Sequence, residues 1–326
     1  MHVPSFDLIV LALGAMGLGM VLLMRGGDWT IEGAVFVAER AGISKMLIGF
    51  TVVAAGTSLP ELLVSVNANL SGSPAIALGN VMGSNIANIL LILGATAILQ
   101  PVITSRRGIL RDCLMMLAAT ALLLGLLALG DIDRLTGCAM ILALVVYMIW
   151  QYRSDAGAGE ALAEEVSEPR FDTVAGAVSA LVLGFIGVAF GAELLVRGAS
   201  TLAKLLGVSD AVIGLTIVAF GTSLPELATS IAATVKRHTD VLIGNVIGSN
   251  VFNILLIIGA TAAIKPLALD AGITLADMAI FGGVSLGFAL WLFALARVGR
   301  VGGVVFICCY VAFVAWQFRD IMGWTI

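Results

Sequence analysis

Gly56-Thr57-Ser58-Leu59-Pro60-Glu61 recurs unchanged as Gly221-Thr222-Ser223-Leu224-Pro225-Glu226, 165 residues further on. The match extends outward from both copies: residues 26–101 align with 191–266 at that same offset, without a gap and with 36 identities in 76 positions. Self-similarity this regular marks an internal duplication. Both hexapeptides lie deep in apolar segments. Of the 326 residues, 60% are apolar and 12% charged, against about 45–50% and 25% in soluble domains, so the chain reads as an integral membrane protein.

A spanning helix takes about 20 residues. Apolar runs and their charged or glycine-rich breaks predict crossings over 6–24, 28–69, 75–100, 109–129 and 135–152, then over 172–189, 193–234, 240–265, 272–296 and 302–319. The 28–69 run is too long for one straight helix and reads as a crossing broken at the hexapeptide. Five crossings per half, an odd number, turn the second half upside down. The expected fold is therefore an all-α integral membrane protein with ten transmembrane helices. It consists of two inverted five-helix repeats, 1–152 and 172–326, with broken helices at the midplane. Between them, residues 153–171 carry Glu160, Glu164, Glu165 and Glu168 among small residues, the composition of a solvated linker. Inverted repeats are a common build among secondary transporters, whose sites lie near the midplane.

Charge narrows the function further. Seventeen Lys and Arg against twenty-one Asp and Glu give a net charge of −4, with no basic tract dense enough to neutralise a nucleic-acid backbone. Cys113, Cys138, Cys308 and Cys309 lack CxxC spacing and read as apolar packing residues. Arg25 follows the run 6–24 and no Lys or Arg precedes it, the reverse of a secretory signal, so that run is expected to be a retained span. On alternate sides of the predicted spans, twelve basic residues face five. By the positive-inside rule the side with twelve is cytoplasmic. The expected location is a plasma (inner) membrane, with the acidic linker in the cytoplasm and both termini outside.

Most carboxylates fall in loops or near span ends. Glu61 and Glu226 do not, and an ionised group at the bilayer centre costs about 2.5–3.5 kcal/mol on insertion scales, so it faces a cavity, a partner or an ion. Pro60 has no N–H, which leaves the Gly56 carbonyl without its helical donor, and Pro225 does the same to Gly221. Freed carbonyls at membrane depth persist only where protein, water or ions satisfy them. Thr57, Ser58, Thr222 and Ser223 add hydroxyls. With no thiol or imidazole nearby, this all-oxygen set suits hard cations such as Ca²⁺ or Na⁺. His2 and His238 read as surface residues.

A second paired motif runs Gly79-Asn80-Val81-Met82-Gly83-Ser84-Asn85-Ile86-Ala87-Asn88 and Gly244-Asn245-Val246-Ile247-Gly248-Ser249-Asn250-Val251-Phe252-Asn253. Asn80, Ser84 and Asn88 share one helix face at i, i+4, i+8, as do Asn245, Ser249 and Asn253. The glycines four apart suit close helix packing, and polar residues in spans also bridge helices.

The duplicated GTSLPE and GNxxGSNxxN motifs, with ten predicted spans and an acidic central loop, resemble the calcium/cation antiporter superfamily, specifically its sodium/calcium exchanger-like prokaryotic members. The resemblance covers nearly the whole chain. It implies that Glu61 and Glu226 are central calcium ligands, with Thr57 and Thr222 completing the site. Sodium sites would draw on Ser58, Ser223, Ser84 and Ser249 and on the carbonyls of Ala54 and Ala219, while Asn88 and Asn253 line the centre. Several family exchangers carry Asp at the position of Asn253, so this chain has at most two negative charges there. The implied function is exchange of Ca²⁺ for Na⁺ by alternating access, with those ions and the bilayer as partners. No cofactor, enzyme activity or obligate protein partner is expected. H⁺/Ca²⁺ exchange is the close alternative, because protonation also neutralises both Glu. A cation channel would repeat its ligands around a subunit ring instead. A hydrolase would need a base beside Ser58 or Ser223 other than the Glu.

Overall fold

A computed structural model describes residues 6–103, 106–155, 171–206, 219–267 and 273–317. The linker residues 156–170, with the four linker glutamates, and His2 lie outside the described residues. The described chain is almost wholly helical. Eight of its helices are long and apolar enough to cross a membrane, nine when the bent pair Lys45–Thr57 and Leu59–Leu70 counts as one span.

The order begins with α1 (Phe6–Ala41), then α2 (Lys45–Ile48), a π-helical turn (Gly49–Val53), α3 (Ala54–Thr57) and α4 (Leu59–Leu70). Next come α5 (Pro74–Ala87), a second π turn (Asn88–Ile92), α6 (Leu93–Leu99), α7 (Arg106–Leu129) and α8 (Arg134–Asp155). The second half holds α9 (Val174–Leu205), α10 (Ala219–Gly221), α11 (Leu224–Val235), α12 (Thr239–Phe252), a third π turn (Asn253–Ile258), α13 (Gly259–Ile264), α14 (Leu275–Leu295) and α15 (Arg300–Gln317). The duplication carries into the elements: α4 and α11, and likewise α5 and α12, have bounds offset by 165 residues.

One pair of predicted boundaries is corrected. The sequence suggested a break after residue 24, yet α1 runs unbroken through Arg25 and Asp28 to Ala41. Charge alone does not end a helix when it is exposed or paired. Arg25 is exposed, and Asp28 and Glu32 meet Lys236 Nζ at 3.1 and 2.7 Å. The chain turns instead at Gly42, whose φ of +65° favours glycine. The break expected near residue 190 is absent for the same reason: α9 continues to Leu205, and Glu193 and Arg197 pair one turn apart on its exposed surface.

Two compact units divide the chain, each drawing on both halves of the sequence: Met1–Val64 with Val146–Asn245, and Ser65–Val145 with Val246–Ile326. In the first unit, α1 and α9 pack along a glycine seam. Gly19, Gly26 and Gly33 of α1 and Gly184, Gly191 and Gly198 of α9 recur every seven residues. A Cβ at Gly19 would sit 2.7 Å from the Gly191 carbonyl oxygen, and one at Gly26 2.7 Å from Val188 N. Only hydrogen fits there, because the two backbones touch. Leu23, Val188, Ala192 and Leu224 close an apolar cluster over α11.

In the second unit, α6 meets α15 through Gly94 and Gly303, and α8 meets α13 through Gly137 and Gly259, again backbone against backbone. Antiparallel strands β1 (Val102–Ile103) and β2 (Arg297–Val298) tie two loops together. Of the four cysteines, Cys113 is buried as packing, while Cys138, Cys308 and Cys309 are exposed on helix surfaces.

Candidate ion-binding site

The first hexapeptide is the hinge of the bent crossing. Pro60 cannot donate to the Gly56 carbonyl, and the two helical arms meet at Ser58 with a 45° bend. Proline sits in the first turn of α4, where the missing N–H breaks no helical bond, and Pro225 does so in α11. Each Glu therefore projects from the first turn of a new helix rather than from a loop. Glu61 is fully buried and Glu226 98% buried.

Within the first unit the two hexapeptides are joined. Ser58 Oγ donates to Glu226 Oε1 at 3.3 Å, and the Thr57 hydroxyl lies beside the same carboxylate. Glu61 lies within range of the Glu226 charge. Glu226 Oε2 accepts no hydrogen bond among the described residues. Two buried carboxylates in one another's field are unfavourable as a bare dianion and call for a cation or protons between them. No group of three or more His, Cys, Asp or Glu that could hold a metal ion occurs among the described residues, and the hydroxyls and carbonyls beside the two carboxylates are neutral.

The neutral oxygens are partly engaged. Thr57 Oγ1 gives its hydrogen to the Val53 carbonyl at 3.1 Å, which leaves the hydroxyl lone pairs as acceptors. The Ala54 carbonyl, a predicted ligand, accepts the Ser58 N–H at 3.1 Å and a longer contact of 3.4 Å from the Thr57 hydroxyl. Ser223 is buried and precedes α11, Thr222 is half-buried, and Ala219 opens the short helix α10.

The second motif divides into two roles. In the second unit Asn80 Nδ2 donates to Ser65 Oγ at 3.0 Å, and in the first Asn245 Nδ2 donates to Ser230 Oγ at 3.2 Å. These two equivalent asparagines serve helix packing. Within the second unit, Asn88 Nδ2 donates to Asn250 Oδ1 at 3.0 Å, and Asn253 Nδ2 donates to Asn85 Oδ1 at 2.9 Å. Asn88 and Asn253 are buried, and their own Oδ1 atoms accept no hydrogen bond among the described residues. Ser84 and Ser249 are buried on the same helices, and Ser249 Oγ likewise has no hydrogen-bond partner there. Sequence reasoning passed over Asn85 and Asn250. Their only signal was that they too recur at the repeat offset.

Comparison with known proteins places these features. The sodium/calcium exchanger protein family matches residues 11–153 and 176–319. The putative antiporter CaxA of Alkalimonas amylolytica is 37% identical over 306 residues, 92% of this chain and 95% of that protein. The sodium/calcium exchanger MaX1 of Methanosarcina acetivorans is 31% identical over 340 residues, 91% and 95% of the two chains. A solved structure of the sodium-calcium exchanger NCX_Mj, soaked with 10 mM Na⁺ and zero Ca²⁺, superposes with a TM-score of 0.82 at 33% identity, covering 94% of this chain and 99% of that one.

Proposed function

The chain belongs to the sodium/calcium exchanger family, and on that premise we propose that it exchanges Ca²⁺ for Na⁺ across a membrane by alternating access. The observation that carries the proposal is the buried carboxylate pair, held together by the Ser58 bond from one repeat's hexapeptide to the other's Glu226. Glu61 and Glu226, with Thr57 and Thr222, bind Ca²⁺. Ser58, Ser223, Ser84 and Ser249 and the carbonyls of Ala54 and Ala219 serve Na⁺, and Asn88 and Asn253 add amide oxygens. All are hard oxygen donors of the kind both ions take.

Charge explains why such a site exchanges rather than leaks. One Ca²⁺ or two Na⁺ neutralise the two carboxylates. The empty pair costs about 5 kcal/mol on the per-charge insertion scale, which suppresses empty turnover by roughly three to four decades. With Asn253 neutral, no third charge holds a further Na⁺. The access change slides α1 and α9 against the broken crossings, and their glycine seam suits motion as one piece. Ten crossings arise as two inverted repeats of five, 1–152 and 172–326. Arg25 and Arg197 lie inside helices; without them eleven basic residues still face four, which supports a cytoplasmic linker and external termini.

The test is Ca²⁺ uptake into proteoliposomes loaded with Na⁺, with choline, or with an acidic interior, with Glu61→Gln and Glu226→Gln as controls. Uptake that needs internal Na⁺ and is lost in both variants is the expected result. Uptake driven only by the proton gradient makes the protein an H⁺/Ca²⁺ exchanger, and uptake indifferent to the interior overturns antiport.

A further inference from the structure

We propose that Asn85 and Asn250 are positioning residues: each holds the amide group of the other repeat's motif asparagine, so that Asn253 and Asn88 present oxygen, not NH₂, to a bound cation. The proposal rests on the assignment of Asn88 and Asn253 as ion ligands.

An amide side chain is ambivalent. Its oxygen can ligate a cation, whereas its NH₂ group repels one, and the two ends are nearly the same size. A site built on asparagine therefore works only if something fixes which end faces the ion. A carboxylate has no such need, because both of its ends are oxygen.

The second unit supplies the fixing groups as a crossed pair. Asn253 Nδ2 is held by Asn85 Oδ1 at 2.9 Å and Asn88 Nδ2 by Asn250 Oδ1 at 3.0 Å. The braces are themselves oriented. Asn85 Nδ2 donates to the Asn250 backbone carbonyl at 3.2 Å, and Asn250 Nδ2 points to the Met116 sulfur at 3.6 Å. Turning Asn253 or Asn88 over would set two acceptor oxygens face to face, which is repulsive. All four asparagines are 99% or more buried, so water does not compete for these bonds. The outcome is two buried Oδ1 atoms that take no hydrogen bond among the described residues, the arrangement expected of groups reserved for a cation. The Asn85 brace ends on a backbone carbonyl, a strong acceptor, and the Asn250 brace on a thioether, a weak one. Asn85 is therefore the firmer of the two.

The test uses the full chain in proteoliposomes and reads the Ca²⁺ concentration that half-saturates Na⁺-dependent uptake, separately from maximal rate. Asn85→Leu raises that concentration roughly five- to tenfold, the order of one lost hydrogen bond. The rise disappears when Asn85→Leu is made on top of Asn253→Asp, because a carboxylate presents oxygen whichever way it turns. An equal rise in both backgrounds, or no rise in the first, overturns the proposal. Asn85→Ala gives the same comparison if the leucine variant does not fold. Asn253→Ala separates the underlying assignment: if it leaves half-saturation unchanged, Asn253 is not a ligand. If it raises half-saturation while Asn85→Leu does not, only the positioning role fails.

Discussion

Alanine at Gly26 and alanine at Gly17 should have opposite effects, although both sit on α1 and gain the same methyl group. At Gly26 the new Cβ lies 2.7 Å from Val188 N, 2.8 Å from the Gly184 carbonyl oxygen and 2.9 Å from Val188 Cγ2. Two of these atoms are backbone and cannot rotate away. The seam must open by several tenths of an ångström, and a gap of about 0.5–1 Å forfeits a quarter to a half of each contact along it. Overpacking of this kind costs about 1–3 kcal/mol, offset by about 0.8–1 kcal/mol from the better helix propensity of alanine. At Gly17 nothing lies within 4 Å of the added carbon, so only the propensity gain remains. Thermal unfolding of the purified protein in lipid nanodiscs reads the difference. At about 2–4 °C per kcal/mol for a chain of 150 residues or more, Gly26→Ala should lower Tm by a few degrees and Gly17→Ala should leave it unchanged or raise it. Equal shifts at the two positions would refute the seam as a backbone contact.

Other consequences follow from the first unit. Lys236 is bound by Glu32 and Asp28; its burial disfavours the charge, but the hydrogen bonds it donates to the two carboxylates, with their negative charge, outweigh that and raise its pKa. Lys236→Met should cost about 1 kcal/mol at low salt, read as a Tm loss that shrinks as ionic strength rises; a loss independent of salt would argue against an electrostatic role. His238, expected at the surface, is half-buried where the chain turns after α11, and burial and the neighbouring Lys45 charge hold it below the usual histidine pKa. The unfolded chain then binds the proton more readily, so stability is present above about pH 6.5 and declines as pH falls below it. His238→Gln should flatten the Tm profile between pH 7 and 5.5, and an unchanged slope would contradict the shift. A Cβ at Gly56 would lie 2.3 Å from the Phe185 ring, so Gly56→Ala should impair transport and Phe185→Leu in the same chain should restore part of it. Failure of the second change to help would place the damage in the hinge itself.

Much of the architecture was legible because the duplication supplies two readings of every element. The crossings expected over 75–100 and 240–265 appear as Pro74–Leu99 and Thr239–Ile264. The end of α1 was not legible. Arg25, Asp28 and the glycines between them look like a break to hydropathy, and only the packed chain shows that Gly26 faces α9, that Gly27 faces α11 and that Asp28 meets Lys236. Glu61 and Glu226 stood out through burial in apolar sequence, which is a local property. The Asn85 and Asn250 braces did not, because their partners lie 168 and 162 positions away. A stripe read along one helix does not show which residue of another helix crosses it.

Glu61 and Glu226 together are proposed to form the site for which Ca²⁺ and Na⁺ compete. Equilibrium binding of radioactive Ca²⁺ to the purified protein, with and without Na⁺, tests it most directly. Saturable Ca²⁺ binding that Na⁺ displaces is expected, weakened in Glu61→Gln and Glu226→Gln and abolished when both are changed. Ca²⁺ binding that survives the double substitution, or that Na⁺ does not displace, would contradict it.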